Sequence, residues 1–142
     1  MIDDDESITR SIAMVLENEG YRVDTAGTGA IAIEKSQTSF YDLALIDIRL
    51  PDMEGTRLLT SLRETTPGMI KILLTGYPTM DNATDAVNKG ANAYLTKPVN
   101  IDELIKTVRE QLRKHREDKK YSEGKVAEYF EARFKEMDNR ES

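Results

Sequence analysis

Short apolar runs alternate with amphipathic stretches along the first 112 residues, and this alternation restricts the fold more than any other feature. Apolar residues recur at helical spacing between the runs, as at Ile8, Ile12 and Leu16. Strands that alternate with helices are typical of βα units around a parallel sheet. The pattern therefore predicts an α/β fold, a doubly wound parallel sheet with helices on both faces. The predicted strands are Tyr21–Ala26, Leu43–Asp47, Ile70–Thr75 and Ala93–Lys97.

A doubly wound sheet needs one more strand before the first helix, and only Met1 and Ile2 precede that helix. A strand that is buried on both faces wants about five apolar residues. We therefore expect a five-stranded sheet whose first strand is clipped. The same stretch supplies Asp5, which we expect to cap the first helix.

The distribution of charge predicts a boundary near Arg113. Residues 1–112 hold 11 basic and 18 acidic side chains, whereas residues 113–142 hold 9 basic and 8 acidic ones. We predict a compact acidic domain over residues 1–113 and a charged helical tail or linker over residues 114–142. Gly124 is expected to interrupt the tail helix. The apolar residues Val126, Phe130, Phe134 and Met137 form a stripe that could fold back, dimerise or begin an output region.

Composition excludes several kinds of chemistry. The chain has no cysteine and one histidine, His115, so it offers no disulfide, thiolate zinc site, thiol nucleophile or polyhistidine metal centre. A net charge of −6 disfavours direct binding to duplex DNA. No apolar run has the length of a membrane span and no signal peptide opens the chain, which predicts a cytoplasmic protein without membrane contact.

Polar side chains stand at the ends of the predicted strands. Asp3 and Asp4 follow the first strand remnant, and Asp47, Thr75 and Lys97 end three later strands. The carboxyl ends of parallel strands converge on one crevice. Three carboxylates that lie close together repel one another, and a hard cation such as Mg²⁺ removes that penalty. A hydroxyl and an ammonium opposite them suit a phosphoryl group, so the pattern predicts a site for Mg²⁺ and phosphate.

Four segments stand in a characteristic order and spacing: Ile2–Asp5, Leu45–Gly55, Leu74–Gly76 and Gly90–Pro98. Through these segments the chain resembles the receiver domain of bacterial and archaeal two-component response regulators. The resemblance covers residues 2 to about 113. It implies a flavodoxin-like strand order, 2-1-3-4-5, and a signalling module that catalyses only its own phosphorylation and dephosphorylation.

The resemblance also implies roles for individual carboxylates. Asp47 would be the phosphoacceptor, a nucleophile that attacks the phosphohistidine of a histidine kinase. Asp3 and Asp4 would hold Mg²⁺ together with Asp47 and the Ile48 carbonyl. The Lys97-Pro98 bond resembles the cis peptide of the family.

Further positions match the phosphoryl-binding and switching residues of the family. Lys97 would pair with the phosphoryl oxygens, and Thr75 would donate its hydroxyl to one of them. Tyr94 resembles the aromatic switch that turns inward as Thr75 moves. Arg49 and Tyr77 occupy positions that tune hydrolysis of the acyl phosphate. Both are bulky, so we expect them to shield the phosphoryl group from water.

Phosphorylation would change the face formed by Met80–Lys89, Ala93–Lys97 and Ile101–Leu112, which would then bind a partner or a second copy. A homodimer could therefore form through the Met80–Leu112 face or through the helical tail. The partner protein and the output domain are not identifiable from the sequence.

Three other functions compete with this interpretation. A Mg²⁺-dependent phosphatase of the haloacid dehalogenase type needs a second aspartate two residues after the nucleophile, where this chain has Arg49. A flavin mononucleotide carrier needs a Ser/Thr/Gly-rich phosphate loop, where this chain has Asp3–Glu6. A receiver-like scaffold that is never phosphorylated ranks low because all five site residues are present. Asp52 and Glu54 are interpreted as residues that shape a turn beside Pro51.

Overall fold

A computed structural model describes residues 1–76 and 80–141 of the chain. Within these residues, three parallel strands form one sheet in the order β1-β2-β3: β1 (Leu43–Asp47), β2 (Ile70–Thr75) and β3 (Ala93–Thr96). The helices of the described chain are α1 (Glu6–Asn18), α2 (Gly29–Thr38), α3 (Gly55–Thr65), α4 (Met80–Asn88) and α5 (Ile101–Glu141).

Ile2 extends the sheet beyond β1. It forms parallel bridges with Ala26 on one side and Ile46 on the other. The Ile2 amide donates to the Leu45 carbonyl at 2.8 Å, and the Asp47 amide donates to the Ile2 carbonyl at 2.9 Å. The spatial order is therefore Ala26, Ile2, β1, β2, β3, which is a parallel α/β arrangement as predicted.

The detail of five strands is not confirmed, and the predicted strand Tyr21–Ala26 is wrong in its extent. Among the described residues, Ala26 is the one residue of that segment in a β-bridge, and the Asp24 carbonyl accepts the Met1 amino group at 2.9 Å. Ladder hydrogen bonds need consecutive partner residues, and within the described chain Ile2 alone bridges to this segment. Apolar alternation predicted the strand, but pairing decides whether one forms.

Helices cover both faces of the sheet, which confirms the doubly wound arrangement. The residues of β2 are all buried, because one set of side chains faces each layer of helices. One core cluster joins the sheet to α2, α3 and α4: Ile2, Ala26, Ala32, Ala44, Ile46, Leu58, Leu59, Leu62, Met69, Leu73 and Ala86. The other joins it to α1 and α5: Ile12, Leu16, Leu45, Ile70, Ile72, Leu74, Leu95, Leu104 and Val108.

Local signals set the helix ends. The Asp5 carboxylate accepts the amides of Ser7 at 2.9 Å and Ile8 at 3.2 Å, which confirms the predicted cap of α1. Gly20 and Gly90 follow α1 and α4 with φ values of 94° and 106°, a left-handed conformation that glycine adopts without a Cβ penalty. Because these helix ends are capped, the connecting loops begin at defined residues.

The last helix continues without a break through Gly124, so the predicted interruption there is wrong. A glycine inside a helix costs about 1 kcal/mol, which the strong helix formers on both sides outweigh. Every described side chain from Arg116 to Asp138 is exposed. The domain boundary at residues 113/114 stays a prediction. Within the described ranges, no helix has both the length and the apolar composition for crossing a bilayer.

Candidate functional site

Three carboxylates meet at the carboxyl edge of the sheet. Asp3 follows the Ile2 bridge, Asp4 is its neighbour, and Asp47 ends β1. One oxygen from each of the three lies within 4.8 Å of the others. Asp3 and Asp47 are buried, whereas Asp4 is exposed. Three hard oxygen donors at this spacing fit Mg²⁺, and the exposed side leaves room for the waters that this ion retains.

The ammonium of Lys97 lies between two of these carboxylates. Its Nζ atom is 3.1 Å from Asp3 Oδ2 and 3.1 Å from Asp47 Oδ1. The side chains of Asp3 and Asp47 are 1% and 10% exposed, and that of Lys97 is 23% exposed. Three carboxylates beside one ammonium leave an excess of negative charge, which favours a divalent cation at this edge.

Burial is the main influence on the protonation of Asp47. It raises the pKa of the Asp47 carboxyl above the ordinary value, and the charge of Asp3 adds to this effect. Hydrogen bonds from Lys97 and from the Arg49 amide oppose it without cancelling it. For Lys97, burial lowers the pKa, but the bonds and charges of Asp47 and Asp3 outweigh it and the net pKa is raised. Without a metal, the surroundings of Asp47 therefore favour its ionised form less than water does.

In the absence of metal, Asp47→Asn is expected to raise the midpoint of thermal unfolding at pH 7. Because the folded-state pKa of Asp47 is raised, the charged carboxylate costs folding free energy at any pH above that value. The cost disappears as the pH falls below the ordinary carboxyl pKa, so the advantage of the variant should shrink on acidification. Thermal unfolding in chelator between about pH 3 and pH 8 measures this.

The matched control for this prediction is Asp118→Asn on the exposed part of α5, which should not change the midpoint. A lower midpoint for Asp47→Asn at pH 7 would show that the ion pair with Lys97 outweighs burial.

The loop between β1 and α3 is held together by backbone hydrogen bonds. The Gly55 amide donates to the Ile48 carbonyl at 2.6 Å, and the Leu50 amide donates to the Met53 carbonyl at 3.2 Å. These bonds flank the antiparallel bridge between Arg49 and Glu54. The Arg49 amide therefore points away from Glu54, and its effect on the Asp47 carboxyl is to lower the pKa of that group. The Ile48 carbonyl already accepts one hydrogen bond, and its role as a metal ligand stays a prediction.

Thr75 and Tyr94 lie on neighbouring strands beside this site. Thr75 is fully buried at the end of β2, and its carbonyl accepts the Lys97 amide at 2.7 Å. Tyr94 packs against the core on the α2–α4 side, and its buried hydroxyl has no hydrogen-bond partner among the described residues. The switch role of this pair and the tuning of hydrolysis by Arg49 stay predictions. Tyr77 lies outside the described residues.

Asp52 has a role that the sequence interpretation missed. It was predicted to shape a turn, but its carboxylate accepts the amides of Gly29 at 2.8 Å and Ala30 at 2.9 Å. These two bonds lower the pKa of Asp52. No local pattern predicts a contact between residues that are more than twenty positions apart.

Gly55 marks the close approach of α3 to the end of β1. A Cβ at this position would lie 2.2 Å from the Asp47 carbonyl oxygen and 2.8 Å from the Ile48 Cα atom. Only glycine fits there, so the first residue of α3 is held directly against the backbone of the candidate nucleophile.

Comparison with protein families gives one match that covers most of the chain. Residues 1–109 match the profile of a family described as "Response regulator receiver domain". The probable transcriptional regulatory protein TcrX of Mycobacterium tuberculosis is 32% identical over 114 residues, which are 80% of this chain and 49% of that protein. The transcriptional regulatory protein ZraR of Klebsiella oxytoca is 36% identical over 112 residues, which are 79% of this chain and 25% of that protein. The chain thus spans half or less of these relatives.

Solved structures give the same result. A CheY-like response regulator receiver domain protein from Methanospirillum hungatei JF-1 is 43% identical with a TM-score of 0.79, covering 82% of this chain and 94% of its own. The beryllofluoride-activated receiver domain dimer of NtrC4 is 33% identical with a TM-score of 0.77, covering 80% of this chain and 94% of its own.

Proposed function

This chain belongs to the family of response regulator receiver domains, and from that we propose that Asp47 accepts a phosphoryl group from a histidine kinase in a Mg²⁺-dependent reaction. The observation that carries the proposal is the cluster in which Lys97 Nζ lies 3.1 Å from both Asp3 and Asp47, beside the exposed Asp4. A purely structural ion pair does not need the third carboxylate. A site for a divalent cation and a phosphoryl group does.

The proposed reaction is a displacement at phosphorus. A carboxylate oxygen of Asp47 forms a bond to the phosphorus, and the bond from phosphorus to the histidine nitrogen of the donor breaks. The product is an acyl phosphate on Asp47, and the donor histidine leaves as a neutral imidazole after taking up a proton. Mg²⁺, when bound, would offset the charge of the carboxylates and of the phosphoryl oxygens. Lys97 would transfer its contact from Asp47 to a phosphoryl oxygen.

We further propose that the backbone carbonyl that completes the cation site belongs to Arg49 rather than to Ile48. The Ile48 carbonyl accepts the Gly55 amide at 2.6 Å, on the side of α3. The N–H and C=O of an extended residue point to the same side of the chain. The bridge to Glu54 leaves the Arg49 N–H and C=O on the other side of the chain, and the Arg49 amide lowers the pKa of the Asp47 carboxyl, so the Arg49 carbonyl is the one available to the site.

The consequence of phosphorylation would be a change of conformation and not turnover of an external substrate. Thr75 pairs with Thr96 at the end of β2, and its carbonyl accepts the Lys97 amide, so Thr75 and Lys97 stand side by side. A phosphoryl group bound by both would pull the ends of β2 and β3 toward Asp47. Beryllofluoride activates the similar NtrC4 receiver, which forms a dimer. The receiver of this chain would likewise change its affinity for a partner or a second copy.

The similar TcrX and ZraR are transcriptional regulatory proteins of which this chain spans half or less. We propose that this receiver controls an output of the same kind, located on another segment or on a partner protein. The net charge of −6 makes direct contact of this chain with DNA unfavourable.

Intact mass spectrometry after incubation with acetyl phosphate tests the proposal. The wild-type chain should gain one phosphoryl group in the presence of Mg²⁺ and none in chelator, whereas Asp47→Asn should gain none in either. Asp42→Asn is the matched control, since Asp42 lies just before β1, away from the site, and should leave the adduct unchanged. A folded wild-type chain that binds Mg²⁺ but forms no adduct would support a scaffold that is never phosphorylated.

A further inference from the structure

The loop between β1 and α3 is tied to α2 at its tip. Asp52 lies five residues after Asp47, and its two carboxylate oxygens accept the first two amides of α2, at 2.8 Å from Gly29 and 2.9 Å from Ala30. The first turn of α2 has no acidic residue of its own. Asp52 therefore supplies the negative charge that the positive end of this helix favours.

Packing supports the same attachment. A Cβ built on Gly29 would lie 2.5 Å from the sulfur of Met53, the residue after Asp52. The tip of the loop thus rests against the start of α2 through two hydrogen bonds and one close side-chain contact. At its base the loop is held by the bond from the Gly55 amide to the Ile48 carbonyl.

Between these two attachments lies Arg49, two residues after Asp47 in the chain and bridged to Glu54. Arg49 is extended opposite Glu54, and the position of this short ribbon depends on both the base and the tip of the loop. Without the tip attachment, the ribbon would be held at its base alone and could pivot there. The backbone of Arg49 would then lose its fixed position beside Asp47.

We infer that Asp52 is a positioning residue for the phosphoacceptor site: by anchoring the tip of the 48–54 loop to α2, it holds the Arg49 backbone against Asp47. The inference rests on the proposed function of Asp47. It assigns to Asp52 an effect on cation affinity and phosphoryl uptake although Asp52 contacts neither the cation nor the phosphoryl group.

A simpler interpretation is that Asp52 only stabilises α2. The chain offers a matched control, because Thr28 caps the same helix from its own side. The Thr28 hydroxyl oxygen accepts the Ile31 amide at 3.1 Å and does not involve the loop. Replacement of either residue by alanine removes a cap of α2, a loss of the same kind for helix stability. Only Asp52→Ala releases the loop.

The test compares Asp52→Ala and Thr28→Ala in the full chain by calorimetric Mg²⁺ titration and by amide hydrogen exchange in chelator. We expect Asp52→Ala to weaken Mg²⁺ binding about tenfold and to speed exchange at the Arg49 and Leu50 amides, as loss of an outer partner of a metal site does. Thr28→Ala should leave both quantities unchanged. Asp52→Asn retains one acceptor oxygen, should give intermediate values, and serves if the alanine variant does not fold.

Equal changes in the two alanine variants, or no change in Asp52→Ala, would overturn the inference and leave Asp52 as a helix cap. Failure of the proposed function looks different, because the wild-type chain itself would then bind no Mg²⁺ and gain no phosphoryl group. In that event the assigned effect on cation affinity fails too, and hydrogen exchange in chelator still shows whether Asp52 holds the loop.

Discussion

Replacement of Lys97 by methionine is expected to lower the free energy of unfolding of the metal-free protein by about 3 kcal/mol and to reduce phosphoryl uptake about a hundredfold. The variant leaves Asp3 and Asp47 buried and facing each other without the ammonium that lies 3.1 Å from each of them. Breaking a buried ion pair from one side leaves an uncompensated charge, which is why the expected loss is large. The same change removes the donor for the phosphoryl oxygens.

Addition of Mg²⁺ should stabilise Lys97→Met more than it stabilises the wild-type chain. The cation takes over the compensation that Lys97 provides, so it recovers part of the lost stability in the variant but not the phosphoryl uptake. Chemical denaturation with and without Mg²⁺, combined with intact mass after acetyl phosphate, measures both effects.

Lys89→Met is the matched control for the removal of a lysine charge. Lys89, just after α4, pairs with Asp85 of that helix at 3.0 Å, and both side chains are more than 40% exposed. An exposed pair of this kind contributes at most about 1 kcal/mol. If Lys97→Met lowers the free energy of unfolding no more than Lys89→Met does, the buried ion pair contributes no more to stability than an exposed one.

Replacement of Gly55 by alanine is expected to destabilise the fold by about 3 kcal/mol and to lower phosphoryl uptake at the same time. The added Cβ would lie 2.2 Å from the carbonyl oxygen of Asp47, and this neighbour is backbone that cannot rotate away. Either α3 or the end of β1 must move. Both movements displace the nucleophile, so stability and uptake should fall together.

Gly68→Ala separates this steric effect from the general effect of replacing a glycine. A Cβ on Gly68, in the turn before β2, meets nothing within 4 Å. This variant should keep the wild-type midpoint in urea and the wild-type adduct. A Gly55→Ala protein that unfolds at the wild-type urea concentration would contradict the packing argument.

The central part of the site could be predicted because it depends on one general property of parallel sheets. The carboxyl ends of neighbouring strands meet at one edge, so polar residues that end apolar runs must lie close together. Asp47 and Lys97 are 50 residues apart in the chain and 3.1 Å apart in space, as that rule requires. Asp3 lies beside them because Ile2, the residue before it, bridges to Ile46 of β1.

Features that depend on particular long-range contacts could not be predicted. The carboxylate of Asp52 reaches the start of α2, which no turn pattern indicates. Lys71 lies within a strand that was predicted from its apolar residues, and it is only 2% exposed. Its ammonium donates to the carbonyl of Thr66 at 3.0 Å and to that of Met69 at 2.8 Å. Burial, followed by the nearby charge of Arg63, lowers its pKa. A lysine satisfied by carbonyls has the same sequence signature as an exposed one.

Helix α5 runs without interruption from the core into its exposed last part. Its first part is held in the core through Leu104 and Val108, whereas the side chains from Arg116 to Asp138 are exposed. A helix rises about 1.5 Å per residue, so Phe134 lies about 39 Å beyond Val108 along the axis. A tilt of about 10° at the core would sweep Phe134 through about 7 Å. A small change in the tilt of α5 in the core would therefore give a larger displacement at the far end of the helix.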